Sequence, residues 1–240
     1  INVVGLTKSH LGEFTPNITA LANASSVSTL TPPLPAVTST VQSTMLTGLS
    51  PQEHGVVANG WHERQTNETF FWRQSNTLVR GEKVWDALRK MDDTFTVANM
   101  FWWFNMYSSA DFAVTPRPIY CANGNKIPDI WTMPSKLRSS LQNKLGQFPL
   151  FNFWGPMANI ASTKWIVDAT IEVEKEHNPT LTLVYIPHLD YPLQKLGPNH
   201  PDINAELQAV DKEVGKLIDH FHSQQIEVCV VSEYGVEEVN

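Results

Sequence analysis

The 240-residue chain is predicted to form an α/β fold, with a largely parallel sheet covered by helices on both faces. Short apolar runs rich in Val, Ile and aromatic residues indicate buried strands, and stretches with helical apolar spacing lie between them. Hydrophobic residues make up 42% of the chain and charged residues 17%, which is ordinary for a globular enzyme. Strands alternating with helices are typical of a parallel sheet.

Four runs carry the strand signal, and they comprise residues 1–6, 95–103, 181–186 and 226–231. Each is short enough for a strand and too uniformly apolar for an exposed edge. We expect the four to be neighbours in one sheet, with ligands bound beyond their carboxyl ends.

Helices are predicted between these strands. Thr15 is a plausible N-cap, and Pro16 stands at the first position of a helix that runs to Ala24. Residues 81–91 and 162–177 place their apolar side chains on one stripe, and residues 203–222 do so most clearly.

The segment 107–153 breaks this alternation, because it is rich in Pro, Asn and aromatic residues. We interpret it as an insertion, or lid, over the active face of one domain that spans residues 1–240. The chain begins inside one strand-like run and ends just past another. We therefore expect that segments before Ile1 and after Asn240 are missing, and we assign the protein to the cytoplasm.

The formal net charge of −7 argues against a nucleic-acid partner, which requires a basic surface. No apolar stretch reaches the roughly 18 residues that span a bilayer, so no membrane partner is expected. The expected partner is a small molecule.

The chemical signal lies in residues 38–48, a hydroxyl-rich stretch after a Pro-rich connection. The common glycine-rich, GxSxG and HExxH signatures are absent from the sequence. A hydroxyl at the start of a helix faces unpaired N–H groups and the positive end of the helix dipole, which suits an alkoxide and a phosphate. Ser and Thr at helix starts are more often simple caps, so this stretch alone does not establish catalysis.

The sequence continues, over residues 47–59, as Thr-Gly-Leu-Ser-Pro-Gln-Glu-His-Gly-Val-Val-Ala-Asn. This segment resembles the nucleophile region of the type I phosphodiesterase/nucleotide pyrophosphatase family of the alkaline phosphatase superfamily. In that family the nucleophilic Thr lies nine residues before the Thr-Gly pair, and that position here is Thr38. Further similar segments follow in the family's order, at residues 15–22, 81–85, 190–198 and 232–235.

The resemblance implies an incomplete alkaline-phosphatase-like core that hydrolyses phosphodiester or pyrophosphate bonds of a small phosphorylated substrate. Thr38 would attack phosphorus and form a covalent intermediate, and Asn59 would bind a non-bridging oxygen. A family member that binds an anionic ligand without turnover is an alternative, as is a phosphomonoester or phosphonate hydrolase.

The metal ligands implied by the resemblance are altered. The family holds two zinc ions with Asp and His side chains, but Val4 stands where an Asp is expected and Gln194 where a His is expected. Glu233 and Tyr234 stand where the family has an Asp-His pair. The oxygen donors left are Asp190, Gln194 and Glu233, which favour Mn²⁺ or Mg²⁺ over zinc.

Four residues are candidates for substrate binding. Trp102 and Trp103 lie at the carboxyl end of the second predicted strand, where an aromatic pocket would meet the active edge, although aromatic runs are more often core. Lys83 and Arg117 would neutralise phosphate charge, although surface positions are the commoner reading. The sequence specifies neither the substrate nor the oligomeric state.

Overall fold

The computed structural model describes residues 1–239, and Asn240 lies outside the described residues. The strands are β1 Asn2–Val3, β2 Gly60–Glu63, β3 Glu68–Phe71, β4 Val97–Met100, β5 Phe112–Pro116, β6 Ile119–Tyr120, β7 Lys126–Ile127, β8 Ile130–Met133 and β9 Leu181–Ile186. The helices are α1 Pro16–Ala24, α2 Thr38–Thr47, α3 Pro51–His54, α4 Val84–Arg89, α5 Lys136–Leu145, α6 Ile160–His177, α7 Asp190–Leu196 and α8 Ile203–Ser223.

The central sheet has five strands in the order β1-β9-β4-β5-β8. All neighbours are parallel except β5 and β8. The predicted α/β class with a largely parallel sheet is confirmed.

The fourth apolar run lies beside β1 without forming a regular strand. Val231 makes a single parallel bridge to Asn2, and its N–H donates to the carbonyl of Ile1 at 2.9 Å. The four predicted runs are therefore neighbours, in the order 226–231, β1, β9, β4.

Only part of the segment 107–153 lies apart from the central sheet as an insertion. Its strands β5 and β8 belong to the central sheet, and α5 packs against β8. Strands β5 and β8 are short and lie among Pro and Asn residues, so their apolar spacing is hard to recognise in the sequence. For this reason the whole segment was predicted to lie outside the core. The exposed β6–β7 hairpin is the part that lies apart from this sheet.

Helix α6 packs against β9 and β4, and α8 packs against α6 and α1. The predicted start of α1 is correct, but Thr15 donates its hydroxyl to the carbonyl of His10 and makes no cap bond. The buried carboxylate of Asp211, on α8, accepts from the N–H groups of Asn17 and Ile18 at 3.0 and 2.9 Å. This long-range cap stabilises the first turn of α1 on α8.

Candidate active site

The carboxylate of Glu233 is the centre of the candidate site. It follows the 226–231 run and is 1% exposed. Its Oε1 atom accepts from Asn2 Nδ2 at 2.6 Å and from Gln42 Nε2 at 2.5 Å. Its Oε2 atom has no hydrogen-bond partner within residues 1–239. One carboxylate oxygen is therefore fixed by two amides, and the other is free.

Thr38 is the first residue of α2 and is nearly fully buried. Gln42 lies one turn further along, so the two side chains share a helix face. The N-cap residue, Val37, has no side chain that could accept the first N–H groups. Asn59 Oδ1 accepts from the N–H of Ser39 at 2.9 Å. The start of α2 is thus held next to Asn59.

Burial raises the pKa of Glu233 to about 7, because a buried carboxyl disfavours its charged form. The hydrogen bonds from Gln42 and Asn2 and the nearby Thr38 hydroxyl act in the opposite direction, and the charge of Asp190 raises the pKa further. The Thr38 hydroxyl lies next to the carboxylate but is not hydrogen-bonded to its Oε2 atom, which has no partner among the described residues. Glu233 is consequently poised to exchange a proton near neutral pH.

Asp190 forms a second polar centre at the start of α7. It accepts from Gln194 Nε2 at 2.8 Å and from the Tyr234 hydroxyl at 3.1 Å. Burial raises the pKa of Asp190, and these two hydrogen bonds oppose that rise. Burial also raises the pKa of the Tyr234 and Tyr185 hydroxyls, and the neighbouring carboxylates add to the effect. Both phenols are therefore neutral donors at physiological pH.

These residues do not fit a bound metal ion as they are arranged. Residues 1–239 contain no group of three or more His, Cys, Asp or Glu side chains that could hold one. Val4 is buried and offers no donor side chain, and its N–H donates to the carbonyl of Ile186. Gln194 and Tyr234 each donate to one oxygen of Asp190, so a metal ion at Asp190 would compete with these two hydrogen bonds. The expectation of Mn²⁺ or Mg²⁺ stays a prediction.

Two of the four predicted substrate residues line one cleft. Trp103 and Arg117 border a cavity of about 1040 Å³, together with Tyr185 from β9. Trp102 does not line this cleft, although both tryptophans are buried in the hydrophobic core. The Lys83 ammonium group is buried and donates to the carbonyls of Val79 and Gly81 at 3.1 and 2.8 Å. It stabilises the loop before α4, and burial lowers its pKa.

Sequence reasoning did not identify Asn2, Gln42 and Tyr185, which contact Glu233 or lie next to Thr38. Gln42 carries a usable signal, since it lies four residues after Thr38 and so on the same helical face. Tyr185 lies next to last in a correctly predicted strand, near the active edge. Nothing in the sequence indicates the role of Asn2, because its hydrogen bond to Glu233 joins residues that are 231 positions apart.

A family profile described as type I phosphodiesterase / nucleotide pyrophosphatase matches residues 1–240. Among curated proteins, an uncharacterised pyrophosphatase/phosphodiesterase of Schizosaccharomyces pombe is 24% identical over 231 residues. That match covers 93% of this chain and 41% of the relative.

Solved structures with the same fold include a phosphonoacetate hydrolase of Sinorhizobium meliloti in complex with phosphonoacetate, at a TM-score of 0.68 and 15% identity. The match covers 98% of this chain and 55% of that one. Murine ectonucleotide pyrophosphatase/phosphodiesterase 5, an inactive form in complex with AMP, matches at a TM-score of 0.61 and 16% identity, with the same coverage. The human counterpart matches at 0.64 and 16% identity, covering all of this chain and 57% of its own. The chain spans about half the length of the relatives it matches.

Proposed function

Because the chain belongs to the type I phosphodiesterase/nucleotide pyrophosphatase family, we propose that it hydrolyses phosphate esters, with Thr38 as the nucleophile and Glu233 as its proton acceptor. The observation that carries this proposal is the free Oε2 atom of Glu233, buried beside the Thr38 hydroxyl. A hydroxyl is a weak nucleophile at its ordinary pKa and needs an adjacent base. A carboxylate whose pKa lies near 7 meets that requirement at neutral pH.

The first step forms a bond between Thr38 Oγ1 and phosphorus and breaks the ester P–O bond. The Thr38 proton passes to Glu233 Oε2, and the leaving alkoxide takes a proton from a water molecule. The oxygen of that water then attacks phosphorus and displaces Thr38, which recovers its proton from Glu233. This cycle consumes one ester and one water and restores both side chains.

Charge on the phosphate oxygens would be stabilised by the start of α2. Helix N–H groups in the first turn lack intrahelical acceptors, and the positive end of the dipole attracts an anion. Val37 leaves this end uncapped, and only Ser39 finds a side-chain acceptor there among the described residues. The amide nitrogen of Asn59 is free to donate to a phosphate oxygen, because its Oδ1 atom is the one bound to Ser39.

No step in this proposal passes through a metal ion. Relatives of this family generally depend on divalent metals, and the sequence favours Mn²⁺ or Mg²⁺ at Asp190, Gln194 and Glu233. At Asp190 such an ion would compete with the hydrogen bonds from Tyr234 and Gln194.

Turnover of bis(4-nitrophenyl) phosphate and 4-nitrophenyl phosphate tests the proposal, with chelated protein and with added Mn²⁺, Mg²⁺ or Zn²⁺. We expect Thr38→Ala to lose at least about a thousandfold in turnover and to remain folded, since only the nucleophile is removed. The matched control is Thr47→Ala, which changes the same residue type in the same helix. Equal turnover by the Thr38→Ala variant would remove Thr38 from the mechanism.

A chain that binds an anionic ligand without turnover is the second candidate. The presence of Val4, Gln194 and Tyr234 where the family has Asp and His ligands favours it. Binding of phosphate or a phosphonate by the wild-type chain, with no release of nitrophenol from either ester under any metal condition, would support this candidate.

A further inference from the structure

The candidate active site contains carboxyl groups and neutral donors but no basic side chain. Apart from burial, the pKa of Glu233 responds to two amides, a hydroxyl and the charge of Asp190, and the pKa of Asp190 responds to Gln194 and Tyr234. Within residues 1–239, no Lys, Arg or His side chain forms an ion pair with either carboxyl group. Val4, Gln194 and Tyr234 stand where the family has side chains that hold cations, and they bring no positive charge. The nucleophile therefore lies in surroundings that are negative or neutral.

These surroundings favour an ester that carries no charge of its own. A phosphate ester brings negative charge toward the carboxyl groups of Asp190 and Glu233, and like charges repel strongly where water is excluded. A carboxylic ester is neutral before reaction and develops negative charge on a single oxygen during attack. The first turn of α2 and the Asn59 amide can stabilise a single charge of this kind.

A cavity of about 980 Å³ adjoins the nucleophile on the side of Tyr234. Ala36, two residues before Thr38, and Tyr234, whose hydroxyl lies next to Thr38, both line this cavity. Much of the remaining wall is apolar and is formed by Leu11, Phe14, Pro32, Ile203, Leu207 and Val236. The cavity therefore offers an apolar space to one portion of a substrate attached at Thr38.

The charged side chains at this cavity are acidic. Glu13 and Glu237 line it, and no Lys or Arg side chain does so within the described part of the chain. Two imidazoles also line it: His200 Nδ1 lies 3.7 Å from Asp202 Oδ2, and burial lowers the pKa of His10, which favours its neutral form. An anionic group would be repelled in this cavity, whereas an uncharged apolar chain would gain by leaving water.

We propose that this chain also hydrolyses neutral carboxylic esters at Thr38, with an uncharged, apolar acyl group bound in this cavity. The inference rests on the proposed function for the roles of Thr38 and Glu233. Thr38 Oγ1 forms a bond to the carbonyl carbon, and its proton passes to Glu233 Oε2. The bond from that carbon to the alcohol oxygen breaks, and the leaving alkoxide takes the proton from Glu233. Water then attacks the acyl carbon, gives a proton to Glu233 and displaces Thr38, which takes that proton back.

Turnover of 4-nitrophenyl carboxylates in the presence of a chelator tests this inference. Thr38→Ala should lose at least about a hundredfold in turnover, and the matched control Thr47→Ala should keep the wild-type rate. Mass spectrometry of peptides after an acid quench provides a second readout, because 4-nitrophenyl butyrate should leave a butyryl group on Thr38. That adduct should be absent from the Thr38→Ala variant.

The acyl group tests the cavity. The kcat/KM should rise about tenfold from 4-nitrophenyl acetate to 4-nitrophenyl pentanoate, because additional methylenes are buried. The mono-4-nitrophenyl ester of glutaric acid has the same chain length as the pentanoate and ends in a carboxylate. Its kcat/KM should be at least about tenfold lower, because the cavity repels the charge.

A pair of phenylalanine variants locates this preference. Phe14→Ala should reduce the advantage of pentanoate over acetate several-fold while acetate turnover is kept, since part of the apolar wall is removed. The matched control is Phe151→Ala, which changes an exposed ring outside the cavity and should leave the advantage unchanged.

Hydrolysis of the carboxylic esters no faster than by the Thr38→Ala variant, or equal kcat/KM for the pentanoate and the glutarate, would overturn the inference. If bis(4-nitrophenyl) phosphate is hydrolysed and the carboxylic esters stay intact, the proposed function stands and this inference fails. If the carboxylic esters alone are hydrolysed in a Thr38-dependent reaction, this inference stands and the proposed phosphate ester hydrolysis fails.

Discussion

The buried Glu233 carboxylate and the cleft that Trp103 and Arg117 border are joined through Gln42, whose amide donates to Glu233 and accepts from the N–H of Trp103. Glu233 is buried, and its Oε1 atom is fixed by two amides. The cleft has a volume of about 1040 Å³, and the exposed side chain of Arg117 lines it. Under the proposed function, chemistry at the buried carboxyl benefits from a fixed, low-dielectric environment, whereas recognition of a ligand needs accessible faces and charges.

The largest expected effect comes from removing the proton acceptor alone. Glu233→Gln keeps an oxygen that accepts from Asn2 and Gln42, so the local hydrogen bonds persist. Its amide nitrogen cannot take the Thr38 proton, and we expect turnover to fall by about 10² to 10⁴.

The measurement is kcat on bis(4-nitrophenyl) phosphate, with Glu237→Gln, at an exposed position, as the control. The thermal unfolding midpoint of Glu233→Gln should stay close to that of the wild type, since its hydrogen bonds persist. Wild-type turnover by Glu233→Gln would show that Glu233 is not the proton acceptor.

A smaller effect is expected at the residue that joins the two regions. Gln42→Met keeps the length of the side chain but removes the donor to Glu233 and the acceptor of the Trp103 N–H. The pKa of Glu233 should rise further, because a hydrogen bond that lowers it is lost. Turnover at pH 7 should fall several-fold, and higher pH should restore part of it.

This substitution also leaves a buried N–H without its acceptor, which costs about 1–3 kcal/mol. Urea unfolding measures that loss, and the exposed Gln208→Met variant provides the comparison. A Gln42→Met variant with wild-type stability and an unchanged pH dependence would contradict the proposed coupling.

The sequence predicts the elements around Thr38 and Glu233 far better than it predicts the cleft. Elements with clear periodicity, such as β9 and α8, lie where the apolar spacing placed them. Thr38, Asn59, Asp190 and Glu233 are implied by the family resemblance of the short segments in which they lie. Each of these signals is local along the chain.

The cleft has no comparable signal. Its walls combine the β2–β3 hairpin with Trp103, Arg117 and Trp154, which are far apart in sequence and meet only in the fold. The same limitation applies to Lys83, since the sequence does not reveal the carbonyls of Val79 and Gly81 to which its ammonium group donates.

The pH dependence of kcat/KM in the presence of a chelator tests the central claim most directly. Glu233 must lose its proton before it can accept one from Thr38, so the rate should rise with pH and level off above a pKa of about 7. The Glu233→Gln variant should lack this rise. Activity that disappears on chelation and returns only with zinc, with no ionisation near pH 7, would contradict the account.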